Sequence, residues 1–171
     1  RAEARAALED IMDGVATPAQ AGALLLLQRY RGESSDELLG YIDAGRSDGA
    51  KLLTGGRRVR ADSGGFFVEP TVFAEVSNTM KIAREEIFGP VMSVIRFDSE
   101  AEAVAMANDS SYGLQASVWS DNINRAHRVA RALRAGTVHV NQYDEDDITV
   151  PFGGYKQSGN ARDKSLHAPE K

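Results

Sequence analysis

The sequence has 171 residues, 42% hydrophobic and 26% charged, with a net charge of −5; this is one domain's worth of chain, with enough apolar side chain to bury a core. It has no cysteine, which excludes disulfides and zinc–thiolate sites and fits a cytoplasmic location. Its basic residues are scattered, so no nucleic-acid-binding face is expected. No apolar run approaches the ~20 residues a bilayer requires, and no secretory leader opens the chain.

The first 40 residues read as helices. Leu8, Ile11, Met12 and Val15 fall on one face of an amphipathic helix that Gly14 ends. Thr17, Pro18 and Gln20 supply an N-cap, a first-turn proline and a capping-box partner for a second helix, apolar over Leu24 to Leu27. Gly32 stops that helix, and Ser34 with Glu37 starts a third. The phrases Ile11-Met12-Asp13-Gly14, Thr17-Pro18-Ala19-Gln20 and Arg31-Gly32-Glu33-Ser34 resemble the N-terminal helical subdomain of anthranilate phosphoribosyltransferase. The resemblance covers about residues 2–40 and implies a dimerising helical segment. The family's phosphoribosyl-pyrophosphate loop is absent, so transferase activity is not implied.

From Tyr41 the pattern changes to alternating strands and helices. Gly40 to Gly45 finishes a helix that, with no linker at the composition break, is expected to run across Gly40. The glycine pairs at 55–56 and 64–65 bracket a hairpin whose Arg57, Arg58 and Arg60 read as a solvated basic turn. Val72-Phe73 and Val91 to Phe97 read as buried strands. Ser99 to Asn108 reads as a helix capped by Ser99 and Glu102, with Ala101, Val104, Ala105 and Asn108 on one face. Ala116 to Trp119 is a strand, Asn122 to Arg134 a helix ended by Gly136, and Thr137 to Val140 a strand. This order favours parallel pairing, and the fold class is α/β: a parallel-type sheet with flanking helices, preceded by a small all-α segment. The expected domains are 1–40 and 41–171.

Six phrases in chain order carry a second resemblance: Gly49-Ala50-Lys51, Gly65 to Val72, Glu85-Glu86-Ile87-Phe88-Gly89-Pro90, Asn108 to Leu114, Ala135 to Val138, and Pro151 to Gly154. Residues 41–171 resemble the later part of the aldehyde dehydrogenase catalytic domain. The tail from Tyr155 to Ala168 is similar to members acting on amino-substituted aldehydes, such as gamma-glutamyl-gamma-aminobutyraldehyde dehydrogenases. The resemblance implies NAD or NADP as cofactor and a small-molecule aldehyde as substrate.

By residue type alone, Glu86 reads as an exposed carboxylate and Phe88 as a core aromatic. The resemblance implies instead that Glu86 accepts the hydroxyls of the nicotinamide ribose, which a carboxylate does with its two oxygens, and that Phe88 walls that side. It also makes residues 142–150 a substrate funnel. There Asp144, Asp146 and their neighbours Glu145 and Asp147 are either a solvated acidic turn or an attraction for an amine-bearing substrate. Phe152 resembles the pocket's aromatic wall, and Gly153 and Gly154 permit close backbone approach. His127 and His139 have no ligand or triad partner at useful spacing, so no metal site is expected and both read as structural.

The departures are as informative. In the family a cysteine thiolate attacks the aldehyde, a glutamate in a Glu-Leu-Gly-Gly phrase activates water, and a dinucleotide fold holds the hydride acceptor. None of these is in the sequence. Ala161 stands where glycine is common, which would strain a positive φ, and Pro169 should break the last helical turn. The expectation is a fragment or chimera of an NAD(P)-dependent aldehyde dehydrogenase, inactive alone and with no catalytic residue of its own. The alternative is a non-catalytic module that self-associates, or complements a partner, through residues 1–40 or exposed sheet edges.

Overall fold

In the computed structural model, which describes residues 35–143 and 147–165, helix α1 spans Ser35–Ser47. Asp36 and Glu37 in its first turn and Arg46 in its last complement the helix dipole. It runs across Gly40, as the lack of a linker implied, but Gly45 does not end it. The stop is Gly49, at φ +92. There the Gly49 amide donates to the Arg46 carbonyl and the Ala50 amide reaches back to that of Gly45, a Schellman closure. The two helices expected before α1, and most of the phosphoribosyltransferase-like stretch, fall outside the described residues.

The chain divides into two compact units: Arg1–Phe73 with Glu86–Met92, and Ala74–Glu85 with Ser93–Lys171. In the first, α1 packs on β1 (Lys51–Thr54). That strand belongs to a three-stranded sheet ordered β1-β4-β5, with β4 at Thr71–Ala74 and β5 at Val91–Ser93. Ile42 of α1 and Phe73 of β4 are wholly buried. Thr71 is buried beside them because its hydroxyl is fully used, accepting the Gly56 amide and donating to the Glu69 carbonyl, each at 2.8 Å. The expected hairpin is present: β2 (Arg58–Val59) pairs antiparallel with β3 (Phe67–Val68). Its arginines are not simply solvated. Arg58 and Arg60 lie 5.9 and 5.7 Å from the ring centroids of Phe66 and Phe67, and Arg57 pairs with Glu69.

In the second unit, helix α2 (Lys81–Arg84) buries Ile82, whose carbonyl accepts the Ser93 hydroxyl. The strand expected over 91–97 ends at Ser93, and Met92 and Phe97 are 60% and 55% exposed. Hydrophobicity marked these residues as buried, but nothing among the described residues covers them. Helix α3 (Glu100–Asn108) is capped by Ser99 and Glu102 as expected: Ser99 Oγ accepts the Glu102 amide, while the Glu102 carboxylate accepts the amide of Asp98, one residue before the cap. Of the face expected to turn inward, Val104 and Asn108 are half-buried while Ala101 and Ala105 are exposed, and Ala103 and Met106 are half-buried instead.

Strand β6 (Gln115–Val118), helix α4 (Ile123–Ala132) and strand β7 (Thr137–Val140) form a strand–helix–strand unit with parallel pairing, Ser117 opposite His139. Ala126 is the α4 residue buried completely. The α/β reading holds, with its strands distributed over three small sheets. Trp119 lies outside β6 and is 67% exposed. Helix α4 stops before the expected Arg134 because a distant side chain closes it: Asn108 donates to the Ala132 carbonyl at 2.9 Å and accepts the Arg134 amide at 2.7 Å. No described helix is long and apolar enough to cross a membrane.

Candidate functional site

Glu86 and Phe88 belong to the first unit, on the turn that leads into β5. Two successive three-residue turns shape it: the Gly89 amide donates to the Ile87 carbonyl at 2.9 Å and the Val91 amide to the Gly89 carbonyl at 2.8 Å. A Cβ on Gly89 would meet the tip of the Leu38 side chain on α1, so the turn packs closely against that helix. The Pro90 carbonyl, accepting the Thr71 amide, ties the turn to β4. On this fixed support the Glu86 carboxylate is exposed and has no partner among the described residues. Phe88 is 65% exposed, which overturns its reading as a core aromatic.

Phe152 belongs to the second unit and is half-buried. Its backbone pairs both ways with Asp163, at 2.8 and 2.7 Å. Gly153 and Gly154 are buried, and the close approach expected of them is present. A Cβ on Gly136, at the start of β7, would overlap the Gly153 carbonyl oxygen, and one on Gly153 would overlap the Ala161 carbonyl oxygen. Ala161 itself is not among the positive-φ residues, so the strain expected there is absent. Pro169 lies outside the described residues.

Three phrases recognised separately in the sequence are one physical assembly. The Gly113 carbonyl accepts the amides of Gly136 and Tyr155, at 3.0 and 2.9 Å, and the Gly113 amide donates to Ser158 Oγ at 3.0 Å. Lys156 donates from Nζ to the carbonyls of Asn108 and Ser110, at 2.9 and 3.0 Å, where the end of α3 offers orphan acceptors. Arg84 Nη1 approaches the same end through the Asp109 carbonyl and carboxylate. These long-range roles of Asn108, Gly113 and Lys156 were not legible in the sequence.

Asp144 and Asp146 lie outside the described residues, with Glu145 between them. Asp147 is described. Its Oδ1 accepts both the amide and the hydroxyl of Thr149 at 2.8 Å, and these bonds, the amide's first, hold its carboxyl below the ordinary aspartate range. The group therefore stays anionic while being tied into its own turn. Tyr143 and Ile148, on either side of the acidic stretch, are exposed.

His127 is exposed on α4 and His139 buried in β7. The Nε2 of His139 and the Oγ of Ser117, its register partner, are buried without a hydrogen-bond partner among the described residues. Among the described residues, no group of three or more His, Asp or Glu is placed to hold a metal ion.

The chain matches the model of the Aldehyde dehydrogenase family over residues 18–171. The NADP/NAD-dependent aldehyde dehydrogenase PuuC of Escherichia coli (strain K12) is 53% identical over 137 residues, 80% of this chain and 27% of that protein. Among solved structures, gamma-glutamyl-gamma-aminobutyraldehyde dehydrogenase from Burkholderia cenocepacia J2315 is 64% identical with a TM-score of 0.76, covering 80% of this chain and 27% of that one. Mycobacterium tuberculosis aldehyde dehydrogenase, solved with NAD+, is 45% identical with a TM-score of 0.76, covering 80% and 28%. The chain thus spans little more than a quarter of the length of these relatives.

Proposed function

The chain belongs to the aldehyde dehydrogenase family, and we propose that it carries the nicotinamide-ribose contact and the substrate-pocket return of an NAD(P)-dependent aldehyde dehydrogenase. The observation that carries this reading is Glu86: an exposed, unpartnered carboxylate on a turn held rigid from both sides. Nothing among the described residues uses that carboxylate, and its two oxygens suit the paired hydroxyls of a ribose. The exposed Phe88 ring gives the adjoining apolar wall. Bound NAD or NADP supplies the hydride acceptor.

The substrate proposed is a small aldehyde bearing an amino substituent. Phe152 walls its pocket, and the acidic residues of 144–147 attract its ammonium group; the aldehyde for which the Burkholderia relative is named is of that class. Attack on the aldehyde carbon needs a nucleophile, and the sequence has no cysteine. Oxidation therefore requires a thiolate from outside these residues. A cytoplasmic setting suits such chemistry.

A second reading rests on uncovered apolar side chains. Met92, Phe97 and Trp119 are each more than half exposed, and large apolar side chains left open to water are available for association. Self-association or complementation, through the helices expected at residues 1–40 or through exposed sheet edges, would cover them.

The test is an NMR titration with NAD+. We expect shifts confined to residues 85–89, absent in Glu86→Ala, and an affinity weaker than about millimolar because most dinucleotide contacts lie elsewhere. Micromolar binding that Glu86→Ala leaves intact would refute the reading.

A further inference from the structure

We propose that Arg162 is the positioning residue of the pocket loop, fixing from the tail the turn that sets where Phe152 stands. The proposal rests on the reading of Phe152 as a pocket wall and goes beyond it by naming what holds that wall.

Residues 160–165 lie along the loop 148–155 as a strap. The Ser165 amide donates to the Ile148 carbonyl at 2.8 Å, and Asp163 pairs with Phe152 through both backbone groups. Arg162 is the side chain that binds this strap to the loop's far end. Its Nη1 donates to the Gly154 carbonyl at 2.7 Å and also lies 3.1 and 3.2 Å from the carbonyls of Ala161 and Asn160. The guanidinium sits 5.1 Å from the Tyr155 ring centroid. No carboxylate pairs with it among the described residues, so its charge is spent on backbone carbonyls. A charge-assisted bond of that kind is stronger and more directional than a neutral one.

Gly153 makes the arrangement possible. A Cβ there would overlap the Ala161 carbonyl oxygen and lie 2.8 Å from Arg162 Cδ, so the strap backbone and its arginine come this close only because the position is glycine. The sequence pairs a bare Gly153 with a long cation nine positions later. From the next turn of the strap, Lys164 places Nζ 5.1 Å from the Phe152 ring centroid and covers one face of the ring.

All three Arg162 bonds come from one nitrogen, so an ammonium in the same place can replace them, whereas a neutral amide cannot supply the charge. The experiment is residue-resolved amide hydrogen exchange on the full chain for the wild type, Arg162→Gln and Arg162→Lys, with butanal as the probe of the pocket. In Arg162→Gln the amides of Phe152, Asp163 and Ser165 should exchange about tenfold faster, with those of β6 and β7 unchanged. Arg162→Lys should stay within about threefold of wild type at the same amides. Unchanged exchange at Phe152 and Asp163 in Arg162→Gln would overturn the proposal. So would acceleration spread equally over every ladder, unfolding of that variant together with uniform acceleration in Arg162→Lys, or failure of Arg162→Lys to rescue. If the exchange pattern holds but butanal shifts no resonance at Phe152 in the wild type, the pocket reading fails and the strap survives.

Discussion

Gly136 and Gly153 meet backbone to backbone: a Cβ on Gly136 would occupy the position of the Gly153 carbonyl oxygen. The start of β7 and the loop at 151–155 are therefore one packed contact, closed further by the Gly113 carbonyl that receives amides from Gly136 and Tyr155. Gly136→Ala should cost about 2–3 kcal/mol, since a rigid carbonyl must move to admit the methyl group. Chemical denaturation read by Trp119 fluorescence measures it; a loss below about 0.5 kcal/mol would mean the two segments do not touch.

Gly40 gives the opposite sign. It lies inside α1, exposed and not at positive φ, and a methyl group added there would have nothing within 4 Å. Gly40→Ala should stabilise by about 0.5–1 kcal/mol through helix propensity and a less disordered unfolded chain. A lower melting temperature would contradict a continuous helix across residue 40.

Asn108 closes α4 from the end of α3, with one bond to each side of its carboxamide. Asn108→Ala should lose about 1–2 kcal/mol, and Asn108→Asp, which keeps the acceptor alone, should lose less. Equal losses in the two variants would assign the effect to packing instead of capping.

These cases explain what could be read in advance. The helix across Gly40 and the Ser99–Glu102 cap follow from residues that contact their sequence neighbours, and the α/β class and the β7 limits follow from a short β-branched run closed by turn residues. The end of α4 was not legible because its cap, Asn108, sits 24 residues before Ala132. Val91 to Phe97 misled because a hydrophobic strand pattern states what wants cover, and Met92 and Phe97 have none among the described residues. At the site, family phrases pointed to Glu86, Phe88 and Phe152, and the rigid turn under Glu86 is consistent with that reading. They gave no sign of Arg162, whose bond to Gly154 is a matter of three-dimensional placement.

The pair between α3 and α4 predicts a pH effect. Glu100 accepts Nε and Nη2 of Arg128 at 2.7 Å each, with Arg125 at 3.7 Å. The Arg128 hydrogen bonds, followed by the charges of Arg128 and Arg125, hold its carboxyl below the ordinary value of 4.5. A depressed carboxyl adds stability that is full above 4.5 and is lost as pH falls through its lower folded value. The pair is exposed, so the contribution is small and screened by salt. Melting curves of Glu100→Gln and wild type should converge on acidification below 4.5 and in high salt; a gap that widens there would contradict the assignment.

The central claim is that this chain supplies the cofactor-facing and pocket-facing parts of an aldehyde dehydrogenase site without the group that attacks the aldehyde. Its most direct test is NADH or NADPH absorbance with the purified chain at neutral pH, an amino-substituted aldehyde and either NAD or NADP. The account predicts no aldehyde-dependent reduction above background, because the sequence has no cysteine to form the thiohemiacetal. Turnover that survives repurification and is lost in Glu86→Ala would contradict it.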